Sequence, residues 1–324
     1  MDNASGQPRA AGQDDVDPQV RLFLQRMSTG YAAYPQMASA SLPEARRIAE
    51  AVRAQWVAGG PEMAAREELR VGALHTRVRI LRPSAQAMLP ALVYLHGGGW
   101  TLFSIDTHDR LMREYAARAG VAVVAVDYSL SPEARFPQAL EETVEVIDWL
   151  RAHGAAHGID ASRLAVGGDS AGANLAVASQ LRLRDLGRAP VAAMLLNYGA
   201  YSDRTSPSWA RYDGPAYMLE ADEMHRFWDN YLRDDGDRDD PLAMPLLADL
   251  RGLPPAFLAI AECDILVDGN REMAAALHEA GVPVQARTYA GATHSFLEAM
   301  SISDLADRAL DEASDWLRQA LSTP

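Results

Sequence analysis

RLAVGGDSAGANLAVASQLRLR, residues 163–184, is the stretch that decides the fold of this chain of 324 residues. Its first part, RLAVGG, is short and apolar, as is typical of a strand buried on both faces of a parallel sheet. Its last part, ANLAVASQLRLR, is predicted to be a helix. Between them lies GDSAG at 168–172, which matches G-x-S-x-G. The order of strand, tight turn and helix is the structural setting in which this pattern presents a reactive serine.

The serine of this motif, Ser170, is therefore predicted to be a nucleophile. A tight turn strains its backbone and lifts its hydroxyl above the sheet. The residues two before and two after it, Gly168 and Gly172, come close together in such a turn, so both must be small. The alternative is a glycine-rich turn in which the serine is incidental. The five-residue pattern does not separate the two interpretations, and other motifs must do so.

Short apolar runs alternate with helical segments on both sides of this motif. The runs lie at 91–95, 121–126, 164–166, 192–196 and 256–260, and a further strand is predicted at 284–289. Helices are predicted between and after them, at about 107–119, 138–153, 171–186, 270–280 and 303–321. This alternation predicts an α/β fold with one central, mostly parallel sheet that is covered by helices on both faces.

Two segments fall outside the alternation. Residues 17–60 begin with Asp17-Pro18, a helix start, and are predicted to form two helices before any strand. Residues 201–240 contain no predicted strand but a helix with a broad apolar face. We expect both segments to form a helical cap over a core made of 61–200 and 241–324. Residues 1–16 are small and polar, and we expect them to be disordered.

A glycine-rich loop, HGGGW at 96–100, follows the apolar run ALVYL. Three successive glycines allow backbone N–H groups to turn outward into a cavity. There they can stabilise the oxyanion of a tetrahedral intermediate. We predict that the N–H groups of Gly98, Gly99 and Ala171 do so. A phosphate-binding loop is the alternative, but the loop has neither the lysine of a Walker motif nor G-x-G-x-x-G spacing.

A serine nucleophile needs a base and an orienting acid. His294 lies in AGATHSF, just after the predicted strand at 284–289 and near the C-terminus, where the chain order serine, acid, histidine requires it. The acid candidates follow or end the run AFLAIAE. By position alone Asp264 is the first candidate, Asp268 the second and Glu262 the third.

The composition of the chain argues against several classes of binding partner. The net charge is -14, which argues against nucleic acid and against an anionic membrane surface. A single cysteine, Cys263, forms no internal disulfide and no zinc site by itself. The acidic, polar start of the chain does not resemble a secretory signal, and no apolar run reaches membrane-spanning length. We expect a cytoplasmic enzyme with a small-molecule substrate and with neither metal nor cofactor. The sequence does not distinguish a monomer from a homodimer.

From about residue 90 to the C-terminus the chain resembles the hormone-sensitive-lipase-like branch of bacterial carboxylesterases. The resemblance rests on HGGG, GDSAG and the late Asp–His pair, with secondary matches at 127–142, 240–255 and 261–268. It implies an α/β-hydrolase fold with a helical cap, a triad of Ser170, Asp264 and His294, and hydrolysis of short- to medium-chain esters. The chain departs from the family pattern at several positions, including Ser129, Met244 and Ser295, which leaves substrate preference open.

The resemblance leaves two alternatives. One is a non-catalytic small-molecule receptor on the same fold, and the other is an amide or sugar-acetate hydrolase with the same triad. Side chains close to the motifs are candidates for contact with the substrate: His96, Trp100, Asp169, Tyr201, Trp209 and Tyr217.

Overall fold

A computed structural model of the chain describes residues 15–85 and 88–322. Of the segment predicted to be disordered, 1–14 lies outside the described residues. Within the described residues, eight strands form one sheet: β1 (Ala65–Val71), β2 (Thr76–Arg82), β3 (Leu89–Leu95), β4 (Ala122–Asp127), β5 (Ile159–Asp169), β6 (Ala193–Asn197), β7 (Ala256–Cys263) and β8 (Val284–Thr293).

The strands are ordered β1-β2-β4-β3-β5-β6-β7-β8 across the sheet. β2 pairs with both β1 and β4 in antiparallel fashion, and all other neighbouring pairs are parallel. The mostly parallel sheet predicted from the apolar runs is therefore confirmed. Its central strands are buried almost without interruption, as their sequences require.

The helices lie before, between and after these strands. The α-helices are α1 (Pro18–Ala32), α2 (Leu42–Val57), α3 (Asp109–Ala119), α4 (Gln138–His153), α5 (Ala171–Asp185), α6 (Pro207–Arg211), α7 (Ala221–Tyr231), α8 (Val267–Glu279) and α9 (Asp304–Ala320). Short 3-10 helices occupy Pro35–Ser39, Gly154–His157, Asp235–Asp239, Pro245–Leu247 and Phe296–Ser301. Along 15–85 and 88–322, no helix has the length and apolar character needed to cross a membrane.

Two strands, β1 and β2, were not predicted, and their charges explain why. β1 is an edge strand with mostly exposed side chains, and it has no apolar run. On β2, Arg79 is buried and contacts Glu68 of β1 at 2.6 Å and Asp106 at 2.5 Å. Arginines paired in this way can lie within a sheet, but they conceal the strand's apolar alternation in the sequence.

The N-terminal helices pack against each other and close to the end of the chain. α1 begins as predicted, because the Asp17 carboxylate accepts hydrogen bonds from the N–H groups of Gln19 and Val20 at 2.9 and 3.1 Å. Between α1 and α2, the rings of Phe23 and Trp56 meet edge to face, with centroids 4.8 Å apart. The apolar residues of both helices are thus buried in one cluster.

The segment between β6 and β7 contains α6 and α7 and, as predicted, no strand. α7 packs on the loop after β3: the Trp100 ring stacks on Tyr231 at 4.2 Å between centroids and lies 4.5 Å from Trp228. All three rings are buried. This aromatic cluster therefore holds α7 above the carboxyl ends of the central strands.

Candidate active site

Ser170 lies at the turn between β5 and α5, with φ 54° and ψ -116°. This is an uncommon conformation for a residue other than glycine. The turn requires small neighbours: a Cβ on Gly172 would lie 1.9 Å from the carbonyl oxygen of Leu95, and one on Gly168 would lie 2.6 Å from the carbonyl carbon of Gly172. The strained strand–turn–helix geometry expected from G-x-S-x-G is present.

His294 follows β8 directly and joins Ser170 to Asp264. Its Nε2 lies 3.0 Å from Ser170 Oγ, and its Nδ1 lies 2.7 Å from Asp264 Oδ2. All three side chains are buried. Burial by itself lowers the pKa of His294, but the charge and hydrogen bond of Asp264 outweigh burial and raise that pKa above its ordinary value. The three residues predicted from the sequence thus form one continuous hydrogen-bonded chain.

The two other acid candidates point elsewhere. Asp268 accepts a hydrogen bond from the backbone N–H of Ser208 at 2.9 Å, and so joins α8 to α6. Glu262 accepts one from the N–H of Gly291 at 3.0 Å. Asp264 also accepts a second hydrogen bond, from the N–H of Leu266 at 2.9 Å. Of the three candidates, Asp264 is the one that hydrogen-bonds to His294.

The glycine loop after β3 lies beside Ser170. Gly98 and Gly99 have φ values of 108° and 58°, and both line the same cavity as Ser170 and His294. A Cβ on Gly98 would lie 2.4 Å from the Leu102 carbonyl oxygen. Among the residues that the structure describes, no acceptor is bonded to the N–H groups of Gly98, Gly99 and Ala171. Three backbone donors are thus available beside the serine.

Asp169 lies beneath this loop rather than in the cavity. Its Oδ1 accepts hydrogen bonds from the Tyr94 hydroxyl at 2.9 Å and from the N–H of Gly97 at 3.1 Å. Its Oδ2 lies 3.3 Å from Nε2 of the buried His108. Burial by itself raises the pKa of Asp169, but His108 and Tyr94 outweigh it and lower that pKa. The ionised carboxylate therefore anchors the first residue of the glycine loop.

Two further residues predicted to contact substrate also lie behind the loop. The His96 ring stacks on Tyr128 at 4.3 Å between centroids, and burial lowers its pKa. Trp100, with φ 55°, is turned away from the cavity into the aromatic cluster with α7. Their rings find packing partners in the core, which is why neither lines the cavity around Ser170.

The other aromatic candidates come from α6 and from the segments just before and after it. Tyr201 and Trp209 line a separate cavity of about 160 Å³. Tyr217 packs edge to face against Tyr212, with centroids 5.3 Å apart. Together with His96, Trp100 and Asp169, this leaves all six expected substrate contacts outside the wall of the Ser170 cavity, and the expectation is corrected accordingly.

The Ser170 cavity has a volume of about 270 Å³. Its wall is mainly apolar and comes from α1, the 3-10 helix Pro35–Ser39, α2, the segment between α6 and α7, α7 itself and the loops after β3 and β8. Besides Gly98, Gly99, Ser170 and His294, it is lined by Tyr31, Met37, Arg53, Leu102, Phe103, Met218, Leu219, Glu223, Phe227 and Ser295.

Sequence reasoning missed these wall residues, although two of them carried a signal. Arg53 follows Ala49 by one helical turn on the buried face of α2, where a charged residue is unusual. Glu223 precedes Phe227 by one turn on α7. A charge that continues an apolar helical stripe indicates either a buried ion pair or a polar contact in a site.

Comparison with known proteins settles the family. Residues 92–298 match the family described as the alpha/beta hydrolase fold. The chain belongs to the α/β-hydrolase family. Acetyl esterases of Salmonella paratyphi A and Salmonella typhi are each 38% identical to it over 275 residues, which cover 83% of this chain and 84% of theirs.

Solved structures of esterases superimpose on nearly the whole of this α/β-hydrolase chain. A hyperthermophilic esterase from the archaeon Pyrobaculum calidifontis superimposes with a TM-score of 0.87 at 32% identity, covering 94% of this chain and 98% of that one. An ester hydrolase from the metagenome of Lake Arreo, complexed with a phosphonate derivative, gives 0.88 at 33% identity over 95% and 100%. The resemblance to the hormone-sensitive-lipase-like branch is confirmed, and the chain is a carboxylic ester hydrolase.

Proposed function

We propose that this ester hydrolase cleaves short- to medium-chain carboxylic esters through an acyl-enzyme on Ser170. One observation carries the proposal: the unbroken hydrogen-bonded chain from Ser170 Oγ through His294 to Asp264, with distances of 3.0 and 2.7 Å. A serine hydroxyl becomes a competent nucleophile when an adjacent base accepts its proton and an acid orients that base. These three side chains have the positions that such a division of roles needs.

In the proposed mechanism, Ser170 Oγ attacks the ester carbonyl as its proton moves to Nε2 of His294. Asp264 accepts the Nδ1–H bond and stabilises the imidazolium that forms. When the tetrahedral intermediate collapses, His294 donates the proton to the leaving alkoxide and the alcohol departs. A water molecule, deprotonated in turn by His294, then attacks the acyl-enzyme. His294 returns this proton to Ser170 Oγ as the carboxylic acid is released.

The oxygen that becomes negative in both steps is proposed to accept hydrogen bonds from the N–H groups of Gly98, Gly99 and Ala171. Such donors act strongly because they are already oriented before charge develops. Loss of one donor of this kind typically costs about 3 kcal/mol in the barrier. The carboxylate of Asp169, bonded to the N–H of Gly97 at 3.1 Å, supports this geometry from below.

The size of the cavity supports the proposed chain length. At about 270 Å³ it is small for an enzyme pocket, since ligand pockets span about 300–1,000 Å³. The Salmonella relatives are named acetyl esterases, which agrees with a small acyl group. Leu102, Phe103 and Phe227 close the wall with apolar surface, so the acyl group is expected to be an alkyl chain of a few carbons.

The test is the Ser170→Ala variant, assayed with an acyl series from acetyl to palmitoyl para-nitrophenyl esters beside an amide analogue. We expect kcat to fall by a factor on the order of 10⁶, and the wild type to prefer acyl chains below about eight carbons. Ser179→Ala, one change on the same helix, serves as the matched control and should keep full activity. If Ser170→Ala stays active, the proposed nucleophile is wrong, and a preference for the amide would favour the amidase alternative.

A further inference from the structure

Two charged side chains of opposite sign line the part of the Ser170 cavity that lies under the helices: Arg53 of α2 and Glu223 of α7. The remaining wall residues there are aromatic or aliphatic. These two side chains can hydrogen-bond to a polar group of the substrate, but the alkyl part of a simple ester has no such group.

Arg53 is rigidly held. Its Nε lies 3.1 Å from Glu298, one of its terminal nitrogens donates to the Tyr31 hydroxyl at 2.8 Å, and its guanidinium carbon lies 3.7 Å above the centroid of the Phe103 ring. The side chain is only 4% exposed. Three neighbours therefore fix the plane of the guanidinium, and Arg53 lines the cavity in that fixed position.

Glu223 differs from Arg53 because its carboxyl has no hydrogen bond or ion pair with any residue in the described part of the chain. It is half-buried and lines the cavity. Burial raises its pKa, while the nearby charges of Arg53, Arg226 and His294 act in the opposite direction. A desolvated carboxyl without a protein partner gains most from a ligand that supplies a hydrogen-bond donor.

A neutral hydroxyl group fits this pair better than a charged group does. A hydroxyl donates one hydrogen bond and accepts others, so it can donate to Glu223 and accept from Arg53 at the same time. An ammonium group is repelled by Arg53 and a carboxylate by Glu223, so each ion loses at one wall residue what it gains at the other. A neutral hydroxyl can bond to both residues without that repulsion.

We propose that Arg53 and Glu223 form a subsite for a neutral hydroxyl group, so that the enzyme prefers hydroxylated esters, such as acetates of polyols, to alkyl esters of equal size. The inference rests on the proposed esterase function and names the substrate class of that same site. The hydroxyl can belong to the alcohol part or to the acyl part of the ester, because either can lie under the helices.

The experiment compares kcat/KM within matched pairs of esters. Glycerol monoacetate against n-propyl acetate tests a hydroxyl on the alcohol part, and ethyl β-hydroxybutyrate against ethyl butyrate tests one on the acyl part. Acetylcholine serves as the cationic ester. We expect the wild type to prefer the hydroxylated member of at least one pair by about 10-fold or more, because a site that hydrogen-bonds a hydroxyl disfavours the analogue without it.

Three variants connect the preference to Glu223. Glu223→Leu should remove about 10- to 100-fold of the preference. Glu223→Gln, which keeps an acceptor oxygen, should retain most of it. Asp222→Leu, the neighbouring exposed acid on the same helix, is the matched control and should leave it unchanged. Thermal melts of all three variants establish that each is folded.

Equal rates within both pairs, a preference that survives Glu223→Leu, or a preference for acetylcholine would each overturn the inference. None of these outcomes touches the proposed function, which para-nitrophenyl acetate and Ser170→Ala test in the same preparations. Conversely, an active Ser170→Ala variant would overturn the proposed function whatever the ester preference.

Discussion

Replacing Asp264 with asparagine keeps the side chain's size but removes one of two acceptors that the site uses. Oδ1 accepts from the N–H of Leu266 at 2.9 Å, and Oδ2 lies 2.7 Å from Nδ1 of His294. An asparagine has one oxygen and one NH₂ group. The Leu266 N–H cannot move away, whereas the imidazole can change its tautomer. The oxygen will therefore stay with Leu266, and the NH₂ group will face His294.

This exchange has a defined cost. With an NH₂ group opposite Nδ1, the neutral imidazole carries its proton on Nε2, where it can no longer accept the proton of Ser170. The same exchange in a comparable triad lowers kcat by about 10⁴, equivalent to about 5.4 kcal/mol in the barrier. Because the Asp264 side chain is only 1% exposed, solvent cannot replace the lost acceptor. We therefore expect a fall of about 10³ to 10⁴ in kcat.

Initial rates with para-nitrophenyl acetate, normalised to active protein and accompanied by thermal melts, measure this effect. Asp268→Asn is the matched control, because its carboxylate accepts from Ser208 and lies away from His294. It should keep kcat within about threefold. A loss below tenfold in Asp264→Asn, or a larger loss in Asp268→Asn, would refute the reasoning.

Three other outcomes follow from the contacts. Burial lowers the pKa of His294 but Asp264 raises it above 6.5 overall, so a profile of kcat/KM against pH should fall on the acid side with a midpoint above 6.5; a midpoint below that value contradicts this ordering. Gly172→Ala should abolish folded, soluble protein, since its Cβ would lie 1.9 Å from a main-chain oxygen of β3; a normal circular dichroism melt would contradict it. Arg53→Met should cost about 3–5 kcal/mol in urea unfolding because Glu298 stays buried without its partner, and adding Glu298→Leu should recover most of that loss.

The fold could be predicted where a strand is buried and its own sequence is apolar throughout. β4 is an apolar run that lies within one residue of its predicted ends, whereas β5 contains the predicted run but begins five residues earlier, with polar residues at its start. The same logic fails for β1 and β2, whose side chains pair charges across the edge of the sheet. In the acidic run 233–240 most residues are exposed, but Asp237 is buried and pairs with Arg233 at 2.6 Å.

The residues of the site likewise fall into those that a local sequence pattern predicts and those that it does not. Ser170 and the glycines of the loop lie in local motifs, because a tight turn imposes its residue types within a few positions. Arg53 and Glu223 reach the cavity only through the way two helices dock on the sheet, and no local pattern encodes that angle. Trp100 illustrates the converse error: it adjoins a motif in the sequence, yet its left-handed backbone directs the ring into the core.

The packing of α7 on the glycine loop links substrate choice to turnover. A Cβ on Gly99 would lie 2.1 Å from the Phe227 ring, so the face of that ring rests directly on the loop. Trp228 and Tyr231 enclose Trp100, the next residue of the loop, on the same helix. Directed evolution that enlarges the cavity at Phe227 would therefore also release a donor proposed to hold the oxyanion. Broader specificity and slower chemistry are expected to arise together in such libraries, and compensating changes should accumulate along α7 rather than around the triad.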